Sequence, residues 1–77
     1  MVLSFTPSGL VTARAHDAHA PIEGTPVTEA LGRLRGRVVR VFGPVARPYL
    51  SIRPRRPPSP AEAAALVGST LRREPEG

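Results

Sequence analysis

Cysteine is absent from the 77 residues, which excludes disulfides and thiolate metal sites. The sequence also lacks any apolar run near the ~20 residues that a membrane-spanning helix needs. The apolar start has no basic residues before it and is interrupted by Pro7 and Gly9, so we predict no signal peptide. These absences favour a cytoplasmic protein in a reducing compartment, with no membrane partner.

Lysine is absent too, and 11 arginines give the chain a net charge of +5. Excess arginine suits an anionic partner such as RNA, and arginine is also enriched at protein interfaces. Aromatic residues are scarce, with only Phe5, Phe42 and Tyr49. Proteins that read single-stranded RNA usually stack bases on several aromatic side chains. The sequence shows no aromatic pair at a suitable spacing, which argues against direct reading of RNA sequence.

The sequence has little of what an enzyme requires. His16, Asp17 and His19 lie close together, but a closed metal site needs about four ligands, so we expect a solvated loop. A nucleophile elbow and a phosphate-binding loop are both missing. The carboxylates, Glu23 and Glu29 among them, fall in loops or in the helix without visible pairing. The pattern therefore predicts a non-catalytic chain with no metal, no cofactor and no small-molecule substrate.

The length allows one small domain, which we place at residues 1–73, with a disordered tail at 74–77. Leu, Ile, Val and Phe make up about a quarter of the chain, above the roughly 20% below which disorder is expected. A chain this short buries only ~60% of its unfolded surface. We therefore expect a thin core that gains stability from a partner subunit.

Short β-branched segments, separated by glycine and proline, recur along the chain. This pattern is typical of a small barrel, whose closure removes exposed strand edges. We predict an all-β fold, a six-stranded barrel that is closed or nearly closed, with one short helix near the C-terminus. The predicted strands are 2–5, 10–15, a short piece around Val27, 37–42, 48–52 and 69–73.

Strict alternation predicts the faces of the fourth and fifth strands. In the fourth strand, Val39 and Val41 are expected on one face and Val38 and Phe42 on the other. Both faces would then be partly apolar, as in a barrel strand that also contacts a partner. The fifth strand alternates in the same way, and its predicted core residues are Leu50 and Ile52.

The C-terminal part contains a basic, proline-rich connector at residues 53–60, which favours an extended backbone. Ser59 and Glu62 have the spacing of a capping box, with a proline at the first helical position between them. Gly68 suits the end of the helix. We therefore predict a short helix at about residues 60–67.

The most specific pattern lies in residues 36–54, which read G-x-V-x-x-V-F-G-P-V-x-x-P-Y-L-x-I-R-P. It closely resembles the core signature of the glycine/arginine-rich-type subunit of H/ACA ribonucleoproteins, in its compact archaeal form, and every fixed position matches. The flanking segments 24–27 and 66–71 agree more loosely. The sequence departs from the family at Arg72, where an aromatic residue is common, and in a shorter first strand. It also lacks a glycine/arginine-rich tail, as compact archaeal members do.

This resemblance implies a six-stranded barrel related to the β-barrel domains of translation factors. It implies an accessory subunit of the guide-RNA-directed pseudouridine synthase complex, which modifies ribosomal RNA during ribosome biogenesis in the archaeal cytoplasm. In that family the catalytic Asp belongs to the synthase subunit. The barrel docks on the synthase catalytic domain and contacts guide RNA and the other H/ACA proteins only indirectly. It is thought to control the thumb loop that grips substrate RNA, assisting loading and release.

The loop after the fourth strand is the predicted contact with the synthase. Its prolines fix φ, so the loop has little entropy to lose on docking. Apolar groups clustered in a loop often mark a binding site. The residues assigned to this contact are Phe42, Gly43, Pro44, Val45, Pro48 and Tyr49.

Two other functions fit the same sequence. A small basic barrel could bind RNA directly through an arginine-rich face, with an affinity that falls steeply as salt increases. The candidate RNA-facing residues are Arg33, Arg35, Arg37, Arg40 and Arg53. A detached translation-factor-like barrel would instead have affinity for ribosomes.

Overall fold

The computed structural model describes residues 1–15 and 21–74. The strands are β1 (Val2–Phe5), β2 (Val11–Arg14), β3 (Pro26–Glu29), β4 (Arg35–Phe42), β5 (Tyr49–Pro54) and β6 (Leu71–Arg73), and the helix is α1 (Pro60–Leu66). The predicted loop containing His16, Asp17 and His19 lies outside the described residues, as does most of the predicted tail.

The six strands form one antiparallel sheet in the order β1-β2-β5-β4-β3-β6. The sheet curls into a half-barrel, and β1 is joined by hydrogen bonds to the segment between α1 and β6. There the Val2 N–H donates to the Ser69 carbonyl and the Gly68 N–H donates to the Val2 carbonyl, both at 2.8 Å. The all-β, six-stranded prediction with one short C-terminal helix is confirmed.

One apolar cluster fills the concave side of the sheet. Every strand from β1 to β5 contributes to it through alternate residues, and α1 adds its last residue. The buried members are Val2, Val11, Ala13, Val27, Leu34, Val38, Leu50, Ile52 and Leu66. The predicted core positions of the fifth strand are therefore confirmed.

A bulge in β4 changes the faces that alternation predicts. Val38 lies opposite Ile52, but the next paired residue is Arg40, opposite Ser51, so Val39 is an extra residue in the strand. An extra residue shifts the alternation by one. Val38 and Val41 consequently both face the core, and Phe42 points outward. The predicted grouping of Val39 with Val41, and of Val38 with Phe42, is wrong for this reason.

Gly36 allows β4 and β5 to approach closely at the other end of the pair. A Cβ atom at this position would collide with the carbonyl oxygen of Arg53 and lie 3.0 Å from Cγ2 of Ile52. Any other residue would therefore push the two strands apart. Glycine often marks such an approach in a strand.

Helix α1 begins with the predicted capping box. The Glu62 N–H donates to Ser59 Oγ at 3.2 Å, and the Ser59 N–H donates to Glu62 Oε1 at 3.1 Å. Leu66 is the only buried residue of the helix and packs into the core. Within the described residues this seven-residue helix is too short to cross a membrane.

Glu29 forms the main buried polar contact of the core. Its side chain is only 2% exposed and accepts hydrogen bonds from the Leu31 N–H at 2.9 Å, the Arg33 N–H at 3.3 Å and Arg33 Nε at 2.8 Å. The hydrogen bond from Arg33 lowers the pKa of Glu29 to about 2, against the opposing effect of burial. The prediction that Glu29 lies in a loop is wrong, because it is the last residue of β3, and the turn between β3 and β4 brings Arg33 back onto it.

Candidate functional site

The loop between β4 and β5 is held at both of its ends. Gly43 has φ of 88°, a left-handed conformation that other residues rarely adopt. A Cβ atom there would lie 2.7 Å from Cδ2 of Tyr49, so the Tyr49 ring packs directly on this glycine. At the other end, Pro48 is buried and its carbonyl accepts the Ala15 N–H at 2.9 Å. The tip between these points is exposed but its base is fixed.

An open apolar groove runs beside this loop. Val45, at the tip, is 86% exposed, and Ile22, which also lines the groove, is 77% exposed. The groove is lined mainly by Pro21, Ile22, Val41, Phe42, Val45 and Pro48, with Glu23 as its one carboxylate. Exposed apolar side chains that cluster in one groove often mark a binding site.

A row of stacked side chains lies on the convex face of the sheet. The Phe42 and Tyr49 rings are 5.6 Å apart and inclined by 23°. The guanidinium carbon of Arg14 lies 4.9 Å from the Tyr49 ring centre, and that of Arg40 lies 5.1 Å from the Phe42 ring centre. We call these four residues the stacked row. Three adjacent strands, β2, β5 and β4, contribute to it through cross-strand pairs.

The structure divides the six residues assigned to the synthase contact. Phe42, Gly43, Val45 and Pro48 line the groove. Pro44 is exposed in the loop. Tyr49 lies in the stacked row on the convex face instead.

The five candidate RNA-facing arginines also separate. Arg33 is ion-paired with Glu29, and Arg35 Nε lies 3.5 Å from a carboxylate oxygen of Glu74. The remaining three, on the convex face of β4 and β5, are Arg37, Arg40 and Arg53. Arg37 and Arg53 lie directly opposite each other, and Arg37 Nη1 donates to the Gly24 carbonyl at 3.0 Å.

Sequence reasoning missed the stacked row. Phe42 and Tyr49 are seven positions apart in the sequence, but the β4–β5 hairpin places them opposite each other, so the structure contains an aromatic pair that sequence spacing does not show. Arg14 was not a candidate because its position beside Tyr49 depends on the pairing of β2 with β5, which are distant in sequence. The available signal was the matched F-G-P-V and P-Y blocks, which fix the hairpin length.

The described part of the chain forms no cluster of metal ligands. Among those residues, no three His, Cys, Asp or Glu side chains come together as metal ligands. The site therefore consists of a fixed apolar loop with its groove, and a neighbouring face of guanidinium and aromatic groups. Both arrangements suit binding of a macromolecule.

Comparison with known proteins finds a relative in an archaeon. Over 48 residues the chain is 42% identical to a protein of Methanothermobacter thermautotrophicus named "Uncharacterized protein". The match covers 62% of this chain and 52% of the relative, so it spans about half of that protein's length. No protein family model matches the chain, and no solved structure matches it.

Proposed function

We propose that this protein is a non-catalytic subunit of an H/ACA guide-RNA-directed pseudouridine synthase complex in the archaeal cytoplasm. It docks on the catalytic subunit and assists loading and release of substrate RNA through the thumb loop. The proposal starts from the resemblance of residues 36–54 to the family signature. Every fixed position of that signature falls on β4, its loop or β5.

The exposed apolar groove is the main observation that supports docking on the synthase. Val45 and Ile22 would each lose water-accessible apolar surface against a partner, at about 25 cal/mol per Å². The loop is fixed by Gly43 and Pro48, so docking orders few new bonds. The matched sequence and the exposed Val45 thus lie in the same hairpin, and Ile22 extends the apolar surface beside it.

A second candidate function is direct RNA binding. It is favoured by the position of Arg37, Arg40 and Arg53 on one convex face, beside two aromatic rings. Charge on this face would give an affinity that depends strongly on salt. Synthase docking, in contrast, would survive digestion of RNA.

The test is co-purification of the protein with the H/ACA-type synthase of the same organism, at moderate salt and after nuclease treatment. We expect the synthase to be retained by the wild-type protein. Val45→Asp should abolish retention, because it places a charge in the apolar contact. Val67→Asp is the matched control, since Val67 is 51% exposed near the end of α1, outside the groove.

Retention that persists in Val45→Asp and in Ile22→Asp would contradict the groove as the docking site. Absence of any synthase after nuclease treatment would contradict the subunit assignment itself. The synthase with this protein bound should also release modified RNA faster than the synthase alone, as measured by multiple-turnover assays.

A further inference from the structure

We propose that the convex face of β2, β5 and β4 binds single-stranded RNA, with bases stacked on the stacked row and phosphates held by the arginines around it. The inference rests on the second candidate function, direct RNA binding. It adds the site, the strandedness of the RNA and the exchange of contacts that accompanies binding. Docking through the groove could fail without affecting it.

The stacked row offers flat surfaces for bases. Aromatic rings and guanidinium planes both stack on nucleobases, whatever the sequence. In the free protein a guanidinium group already lies over each ring, Arg14 over Tyr49 and Arg40 over Phe42. A base can take the place of either group, because a cation–π contact at a partly exposed site is weak.

The hydrogen bonding of the Arg14 side chain is incomplete. Its Nε is buried and has no hydrogen-bond acceptor within residues 1–15 and 21–74. A buried donor without a partner is costly, more so on a charged group. When a base replaces the guanidinium on Tyr49, Arg14 is released to pair with a phosphate, which satisfies this donor. The contact between Arg14 and Tyr49 therefore belongs to the free protein and is exchanged for a base when RNA binds.

Further arginines continue the positive face along β5 and β4. Arg53 lies four residues from Tyr49 on β5, about 13 Å along the strand. Arg37 lies opposite it, and like charges paired across strands are unfavourable without a counter-ion. Within residues 1–15 and 21–74, none of Arg14, Arg40 and Arg53 forms an ion pair with a carboxylate. These charges are available to phosphates.

Single-stranded RNA fits this surface better than the alternatives. A duplex hides its base faces, so it would use the arginines and leave the rings without a role. Thr12 and Ser51 lie opposite each other on the same face, between the row and Arg53. Their hydroxyl groups form no hydrogen bond within the described residues and can contact a 2′-hydroxyl, which distinguishes RNA from DNA.

Tyr49 provides a direct readout, because it is the single tyrosine and the chain has no tryptophan. Intrinsic fluorescence therefore reports this residue alone. Titration of the intact protein with a short oligouridylate should change Tyr49 emission as bases stack. Three phosphate contacts predict a slope of about −2 for log affinity against log salt, at ~0.7 per contact with a single strand.

Arg40→Gln tests the site, and Arg72→Gln is its control, because Arg72 is exposed on β6 and its loss removes the same charge. Arg40→Gln should weaken binding about tenfold and reduce the salt slope by ~0.7. Arg72→Gln should leave both nearly unchanged. Circular dichroism checks that each variant is folded. Oligodeoxyuridylate should bind more weakly than oligouridylate.

The experiment distinguishes failure of direct RNA binding from failure of the stacked-row site. Absence of binding at low salt would overturn direct RNA binding and this site together. Binding with no change in Tyr49 emission, and with equal loss in the two arginine variants, would keep direct RNA binding and overturn the stacked-row site. Equal affinity for oligodeoxyuridylate would overturn the choice of RNA.

Discussion

Glu29 illustrates how one side chain holds a turn that the rest of the fold needs. Its carboxylate accepts hydrogen bonds from two backbone N–H groups and from the Arg33 guanidinium. Arg33 Nη2 in turn donates to Ser69 Oγ at 3.2 Å. Ser69 is also the residue that accepts the Val2 N–H at the edge of the sheet. A turn at one end of β3 is thus linked to the closure of the half-barrel.

Glu29→Gln should lower the free energy of unfolding by about 1–3 kcal/mol at neutral pH, because a neutral amide cannot fully replace a buried carboxylate that accepts three hydrogen bonds. The pKa of Glu29 is lowered from 4.5 to about 2, so its stabilising effect is complete above pH 4.5. That effect is lost as the pH falls towards about 2. Urea unfolding of both proteins across this range measures the difference.

Glu23→Gln is the matched control, since Glu23 is exposed. We expect its effect at neutral pH to stay within ±0.5 kcal/mol. If the gap between wild type and Glu29→Gln were as large at pH 2 as at pH 7, the carboxylate charge would not be its source. Equal unfolding free energies of the wild type and Glu29→Gln at neutral pH would contradict the prediction. They would mean that the unfolded chain compensates for the contacts of Glu29.

Among the elements, β4 determines most of what the surface presents. Its bulge at Val39 turns Val41 inward and Phe42 outward, which places the Phe42 ring against Tyr49. Without the extra residue, Phe42 would point into the core. The same local change thus supplies one core residue and one half of the aromatic pair.

The matched pair Val41→Ala and Val39→Ala tests the bulge. Val41 packs against the core, opposite Leu50, so its truncation should cost about 1 kcal/mol. Val39 is 38% exposed, and its truncation should change stability by less than 0.5 kcal/mol. Midpoints of chemical denaturation compare the two. Similar losses at the two positions would mean that Val39 and Val41 share one face, as strict alternation predicts, and that β4 has no bulge.

The sequence is informative about elements because their boundaries are local. Glycine and proline mark the ends of the strands, and the capping box at Ser59 predicts where α1 begins. The bulge could not be predicted, since it depends on how β4 registers with β5 and the alternation of apolar residues hides an insertion. The contact between Arg14 and Tyr49 could not be predicted either, because strand order decides which distant segments become neighbours.

At the scale of the whole molecule, the half-barrel combines a thin core with two sheet edges. A free edge invites pairing with another chain. Here β1 and β6 do not pair with each other, and closure depends on Val2, Gly68 and Ser69. Because α1 ends just before Gly68 and buries Leu66, the helix positions this closing segment.

The closure predicts slow hydrogen exchange at particular amides. The Val2 and Gly68 N–H groups each donate across the junction at 2.8 Å, so both should exchange far more slowly than the Val45 N–H, in the exposed loop. Nuclear magnetic resonance of the intact protein after transfer to deuterated water measures all three. Leu50, in the centre of the sheet, serves as the protected reference.

Leu66→Ala separates the role of the helix from that of the strands. Loss of this buried side chain should cost about 2–5 kcal/mol and accelerate exchange at Val2 and Gly68 before exchange at Leu50, because the helix no longer fixes the closing segment. Val67→Ala, at an exposed neighbouring position, should leave all these rates unchanged. If Val2 and Gly68 exchange as fast as Val45 in the wild type, the half-barrel is open in solution. Its edge strands would then be free to pair with a partner.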